Sequence, residues 1–340
     1  MTTHINSEII ARISSAVTDK TILITGANGF VGKNLLALLT QFCDLRLLCP
    51  TSKELNLLDL GGILAYMKSN RPDIVLHLAG MVGGIGANRE RQADFFFRNA
   101  LMGVNVYEAA RISNVKKLVS LAAGCGYPTN ATPPFQEEQF WGGLPDMNSY
   151  GYSMAKKNLV IQGWAYREQF DFDSTVLLPA NLYGPYDNFD LHSSHVVPAL
   201  VRKFSDAATQ SKPNVTLWGT GRASREFLHA RDLAIACILA IDIPEVGPFN
   251  VGTGVETTIE QLARQLKELT GFSGNLVWDI ALPDGQERRY YDMKRFVNVF
   301  NWIPEITLKQ GLLEVIDFYM ATYYPDEVQR QGQIRERNQH

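Results

Sequence analysis

The chain of 340 residues exceeds the usual size of one domain, so one large lobe or two coupled lobes are expected. A formal net charge of −3, with acids and bases interspersed, and 46% hydrophobic residues describe an ordinary globular chain and exclude the basic stripe of a nucleic-acid binder. No apolar run reaches membrane-spanning length, and the N-terminus lacks the basic-then-apolar order of a secretory leader.

The four cysteines, Cys43, Cys49, Cys125 and Cys237, form no Cys-x-x-Cys pair. A reducing cytoplasm is therefore expected, with neither a disulfide framework nor a metal site. Ile9, Ile10, Ile13 and Val17 make an apolar stripe that predicts a short helix over 6–17, an N-terminal extension packed on the body. Thr21-Ile-Leu-Ile-Thr25 reads as a buried strand, followed by a glycine loop and a helix over 31–42. Leu45–Cys49 is a second strand stopped by Pro50, and a helix over 60–69 leads to a third strand, 73–78. A long helix over 91–112, a strand over 117–122, a helix over 150–169 and a strand over 174–178 continue the alternation. This order predicts an α/β fold, a Rossmann-like doubly wound parallel sheet with right-handed crossovers.

After Pro179 the pattern loosens into a Gly/Pro/Asn/Asp-rich loop, 181–194, of the kind that lines sites. Helices near 195–209, 231–241, 257–270 and 308–323, mixed with short strands, predict a smaller C-terminal lobe capping the strand ends. The expected division is a dinucleotide-binding domain over 1–180, with 228–250 returning to it, and a substrate lobe over 181–227 and 251–325. A frayed tail over 326–340 completes it.

Gly26, Gly29 and Gly32 follow a strand and open a helix, which lets the backbone turn tightly and approach a pyrophosphate at the helix N-terminus. Asn28, Phe30 and Val31 within this loop, and Leu78-Ala79-Gly80 at the third strand end, are expected to join the cofactor site. Asp59 is either an adenine contact or a helix N-cap. The second strand ends in Cys49-Pro-Thr-Ser-Lys53 with no acid to hold ribose hydroxyls, which favours NADP, with Lys53 and Arg46 near its extra phosphate; NAD stays open. Downstream, Tyr152 and Lys156 lie one helical turn apart, so both project from one face. The lysine ammonium is expected to pull the phenol toward the working range and to hold the cofactor ribose, a pattern for hydride chemistry at a carbonyl.

Several motifs resemble a known family. Glu54–Asp59, Met81–Asn88, Cys125-Gly-Tyr-Pro128, Asn181–Phe189, Ser194–Leu200, Trp218–Gly221, Arg225–His229 and Asn250–Val255 are similar to those of the GDP-L-fucose synthase family of extended short-chain dehydrogenases/reductases. These enzymes are GDP-4-keto-6-deoxy-mannose 3,5-epimerase/4-reductases. The resemblance covers about residues 20–320, substrate lobe included. It implies an NADPH-dependent reaction on a GDP-sugar, in a homodimer. Cys125 and His195 match the family's acid/base pair for epimerisation, and His195 also touches the cofactor. Tyr152 protonates the carbon-4 oxygen. Lys203, Arg225 and Arg289 match the diphosphate ligands, Trp218 and Gly219 the nucleotide contacts, and Asn181 the sugar or nicotinamide contact. Two departures stand out. The family serine four residues before Tyr127 is Ala123 here, and the two arginines near the extra phosphate are Asn28 and Ser52.

Overall fold

The computed structural model describes residues 5–282 and 284–327, so residues 328–340 of the expected tail lie outside the described residues. The chain opens with α1 (Ser7–Val17), whose N-terminus is capped by the Asn6 side chain. It then alternates through β1 (Thr21–Thr25), α2 (Phe30–Leu39), β2 (Arg46–Leu48), α3 (Leu60–Asn70), β3 (Ile74–His77), α4 (Ile85–Glu90), α5 (Gln92–Ile112), β4 (Lys117–Leu121), α6 (Tyr150–Phe170) and β5 (Ser174–Pro179). There follow β6 (Asn181–Tyr183), α7 (Val196–Thr209), β7 (Asn214–Trp218), β8 (Ser224–His229), α8 (Ala230–Leu239), β9 (Phe249–Val251), β10 (Glu256–Thr258), α9 (Ile259–Thr270), β11 (Asn275–Asp279), β12 (Arg288–Arg289), α10 (Lys294–Phe300) and α11 (Leu308–Tyr323).

Six strands form one sheet in the order β2-β1-β3-β4-β5-β9, every neighbour parallel. A parallel sheet must be covered on both faces, which is why β3 and β4 are buried along their whole length. One face packs against α1, α2 and α8, through Ile13, Leu35, Ile235 and Ile238 among others. The other packs against α3, α5 and α6, through Met67, Val106, Tyr107 and Leu159. From β1 the chain runs to β2 on one side and next to β3 on the other. The crevice above the ends of β1 and β3 is thus the topological switch point, where this architecture binds ligands.

The C-terminal part adds a small sheet in which β8 pairs with β6, β10 and β12, and a separate pair, β7 with β11. Their core joins α7, α9 and α11 through Phe204, Leu262, Leu266 and Leu312. Phe296, Phe300 and Trp302, placed in the small lobe by the sequence, pack instead with the large sheet, Phe300 against Phe249 of β9.

Several boundaries differ from expectation for visible reasons. The 181–194 loop begins with a strand, because Asn181–Tyr183 finds a partner in β8. The helix expected at 257 starts at Ile259, where Thr258 and Gln261 form a reciprocal capping box. The helix expected to open at 91 begins at Gln92, with the short helix α4 ahead of it and Arg91 between the two.

Candidate active site

The cofactor cradle begins where β1 ends. Gly26 has φ +77°, and a β-carbon there would stand 2.7 Å from the Ala79 backbone nitrogen, so only glycine allows β1 and β3 to end this close together. A β-carbon on Gly32 would come within 2.6 Å of Ala27 Cα, so its absence lets α2 rise directly from the loop. No side chain caps the N-terminus of α2, which leaves its first-turn N–H groups to an anion.

A cavity of about 460 Å³ opens here, lined by Thr25–Gly29, Pro50–Ser52, Leu55–Leu58, Ala79–Met81, Arg98 and Met102. Gly26, Asn28, Gly29, Ala79 and Gly80 thus line it as expected of cofactor contacts. Phe30, Val31 and Gly32 belong to α2 beside it, and Leu78 packs against the core. Lys53 is exposed and outside the lining, while Arg46 donates to Asn70 Oδ1 at 3.3 Å. Asp59 stands at the N-cap of α3 without a capping bond, its carboxylate against Gly62 and just beyond Leu58 of the lining.

α6 brings the Tyr/Lys pair to the same crevice. Lys156 is buried, donates to Leu121 O at 3.0 Å, and lies 3.4 Å from where a β-carbon on Gly80 would be. Burial lowers its ammonium to about 8. Tyr152 sits edge-on to Phe95, with ring centroids 6.3 Å apart. Burial first, then the neighbouring Cys125, push its phenol well above the usual value. Loss of solvent around the phenol, rather than the Lys156 ammonium, governs Tyr152. The Tyr152 phenol is therefore neutral at pH 7.

Cys125 lies in a turn, Gly124–Gly126, tied to α6 by the Ser153 hydroxyl, which donates to Cys125 O at 3.0 Å. Ala123 precedes this turn in extended conformation. Ser120 is fully buried and paired with the Tyr107 hydroxyl at 3.1 Å, so it supplies no donor in place of the missing serine. Tyr291 closes the turn from behind, its hydroxyl against Gly124 and donating to Pro179 O at 3.1 Å.

From the small lobe, Arg225 of β8 and Arg289 of β12 are register neighbours, and neither forms an ion pair among the described residues. Arg225 donates to Ser224 O and Gln286 O at 2.7 and 2.6 Å. Burial, then the adjacent Arg289, lower it to about 10. Arg289 Nη2 lies 3.2 Å from the β-carbon position of Gly124, so the paired cations adjoin the Cys125 turn. Two like charges held side by side make an anion site.

Lys203 is half-buried, donates to Thr216 O at 3.0 Å, and is lowered by burial. Trp218 ends β7 with 63% of its surface exposed, and Gly219 follows in left-handed conformation with φ +70°. The Asn181 amide is engaged with Glu226 O at 3.0 Å. His195 stands at the N-terminus of α7 without a capping bond; the residue as a whole is exposed, yet partial burial of the imidazole lowers it below its usual value.

Two groups escaped sequence reasoning. Glu226 is 1% exposed; it accepts from Thr253 N, from Gly254 N at 2.6 Å and from Tyr291 N at 2.8 Å, joining the β10 loop to the strand that carries Arg289. Burial raises it to about 7. On α5, Asn99 clasps Met81 through both backbone groups, and Arg98 and Met102 face the cavity. The four-residue spacing of Arg98 and Met102 was the one signal available.

The model described as NAD dependent epimerase/dehydratase family matches residues 22–252. The chain is 36% identical over 309 residues to the GDP-L-fucose synthase of Escherichia coli (strain K12), covering 88% of this chain and 96% of that protein. It is 35% identical over 302 residues to the GDP-L-colitose synthase of Yersinia pseudotuberculosis, covering 88% and 97%. Among solved structures, the GDP-mannoheptose C4 reductase from Campylobacter jejuni with NADP bound gives a TM-score of 0.82 at 30% identity, covering 88% and 98%. With its glycine cradle, Tyr/Lys pair and sheet order, the chain belongs to the NAD-dependent epimerase/dehydratase family, in the GDP-L-fucose synthase branch of the extended short-chain dehydrogenases/reductases.

Proposed function

We propose that this chain is an NADPH-dependent epimerase/reductase that converts GDP-4-keto-6-deoxy-mannose to GDP-L-fucose, or a close analogue of that pair. The observation that carries the reading is the convergence of Lys156, Tyr152 and Cys125 on one crevice, with an unpaired double-arginine site beside it.

Protons beside a ketone are acidic because the enolate spreads charge onto oxygen. Cys125 and His195 exchange them at the carbons flanking the carbonyl, one group withdrawing and the other returning a proton. An imidazole held below its usual value stays neutral at pH 7 and is ready to accept. NADPH, when bound, supplies the hydride that reduces carbon 4. Tyr152, kept neutral by burial, gives its proton to the developing alkoxide. Lys156 holds the cofactor ribose. Arg225, Arg289 and Lys203 offset the diphosphate charge, Trp218 and Gly219 lie against the nucleotide, and Asn181 touches the sugar or nicotinamide end.

In this reading residues 1–180 with 228–250, joined by α10, hold the dinucleotide, and 181–227 with the rest of 251–325 hold the GDP-sugar. The enzyme works in the cytoplasm, and no described helix is long and apolar enough to cross a membrane. It acts as a homodimer, a reading supported by exposed Phe96 and Phe97 on α5 and Ile161 and Trp164 on α6.

Incubation with GDP-4-keto-6-deoxy-mannose and NADPH in deuterated water tests the proposal, with NADPH loss and deuterium uptake followed together. Both signals are expected. Uptake without oxidation would leave an epimerase only, and neither signal would sink the reading.

A second reading, a reductase for a GDP-keto-heptose, is favoured by Ala123 and by the likeness to the GDP-mannoheptose C4 reductase. Comparing turnover of the two keto-sugars separates them.

A further inference from the structure

The cavity beside the glycine loop has one charged side chain in its lining, Arg98. A nicotinamide dinucleotide carries its negative charge on the pyrophosphate and, in NADP, on a further phosphate at the adenosine ribose. The positions where the family keeps arginines for that phosphate are Asn28 and Ser52, both neutral and both in the lining. The basic residues expected to replace them are elsewhere: Lys53 outside the lining, Arg46 turned to Asn70. Arg98 itself is exposed and has no ion pair or hydrogen bond among the described residues.

Its placement is fixed by neighbours on the same helix. Asn99 donates to Met81 O at 3.0 Å and accepts from Met81 N at 2.9 Å, which holds α5 to one cavity wall. Asn105 donates to Leu57 O at 3.1 Å and holds it to the other. Arg98 and Met102, four residues apart, then project from one face of α5 into the space between.

We propose that Arg98 is the phosphate-binding cation of the dinucleotide site, a role expected of Lys53 and Arg46 beside β2. A guanidinium is always charged and meets a phosphate through two parallel N–H bonds, so one arginine suffices where the walls are otherwise neutral. The proposal rests on the dinucleotide reading above and adds which residue meets the charge.

The test is isothermal titration of NADP⁺ and NAD⁺ into the wild-type protein, Arg98→Ala and Arg98→Lys, with thermal denaturation of each ligand-free protein as a check of folding. Arg98→Ala should lose about tenfold to a hundredfold in NADP⁺ affinity, the scale of hydrogen bonds to a charged group, and Arg98→Lys should recover part of it. Equal loss for NAD⁺ assigns Arg98 to the pyrophosphate; loss confined to NADP⁺ assigns it to the ribose phosphate. Either supports the proposal. Unchanged affinity for both in a folded Arg98→Ala protein overturns it while leaving the dinucleotide reading intact. A wild-type protein that binds neither dinucleotide sinks both.

Discussion

The hydroxyl of Tyr291 fills the space that a β-carbon on Gly124 would need. Gly124 opens the turn that carries Cys125, and Tyr291 follows β12 with its Arg289, so this contact locks the Cys125 turn to the strand that carries Arg289. Glu226 holds the other side, accepting from Tyr291 N at 2.8 Å.

Gly124→Ala should therefore destabilise the protein by about 1–3 kcal/mol, the usual cost of overpacking a filled site. Tyr291→Phe removes the clashing oxygen and its bond to Pro179 O, at about 1 kcal/mol by itself. Combined, the two should cost less than their sum. A double-mutant cycle by urea denaturation measures the coupling, and simple additivity would show that the contact does not constrain the turn.

Cys125→Ser keeps the turn, since its carbonyl still receives the Ser153 hydroxyl, but removes the thiol. Deuterium incorporation beside the carbonyl should fall by about 10²–10⁴-fold, the typical contribution of a positioned acid or base. Affinity for NADP⁺ should stay within experimental error. Exchange at the wild-type rate would remove Cys125 from the mechanism.

Lys156 sets a pH limit. Burial lowers its ammonium to about 8, so the charge that the proposed function assigns to the cofactor ribose is present below that value and lost above it. Dinucleotide affinity should fall as pH rises through about 8 and level off beyond it. Lys156→Met should bind weakly at every pH, with no such step. A wild-type affinity that stays flat across pH 8 would contradict this role. Tyr152 adds no limit in the same range, because its phenol is pushed upward.

Much of this site was legible because its signals are local. Gly26 sits in one tight turn, Gly29 and Gly32 follow at the start of α2, and Tyr152 and Lys156 lie one helical turn apart, so spacing alone exposes them. The parallel, doubly wound sheet followed from the alternation of elements. Arg98, Glu226 and Tyr291 were hidden for the opposite reason: each takes its meaning from residues distant in sequence, Arg98 from the β1 and β2 ends and Tyr291 from Gly124. A buried carboxylate such as Glu226 looks like a surface charge until its three backbone donors are seen. The effect on Tyr152 was misjudged because spacing reveals the lysine but not the loss of water around the phenol.

Ala123 carries the sharpest functional question. It lies in extended chain just past β4, half-buried, at the position where the family resemblance leads one to expect a serine. Ser120 cannot stand in, since it is an odd number of residues away along extended chain and bonded to Tyr107 on the buried side. Under the proposed function Tyr152 is then left as the main donor to the carbonyl oxygen. Losing one such donor typically costs about 10²–10³-fold in rate, so restoring it by Ala123→Ser should raise NADPH oxidation by about tenfold or more. Deuterium uptake should change little, because the proton-exchange groups are untouched. An unchanged oxidation rate, with NADP⁺ affinity preserved, would mean that the carbonyl sits away from residue 123 and would favour the keto-heptose reading of the substrate.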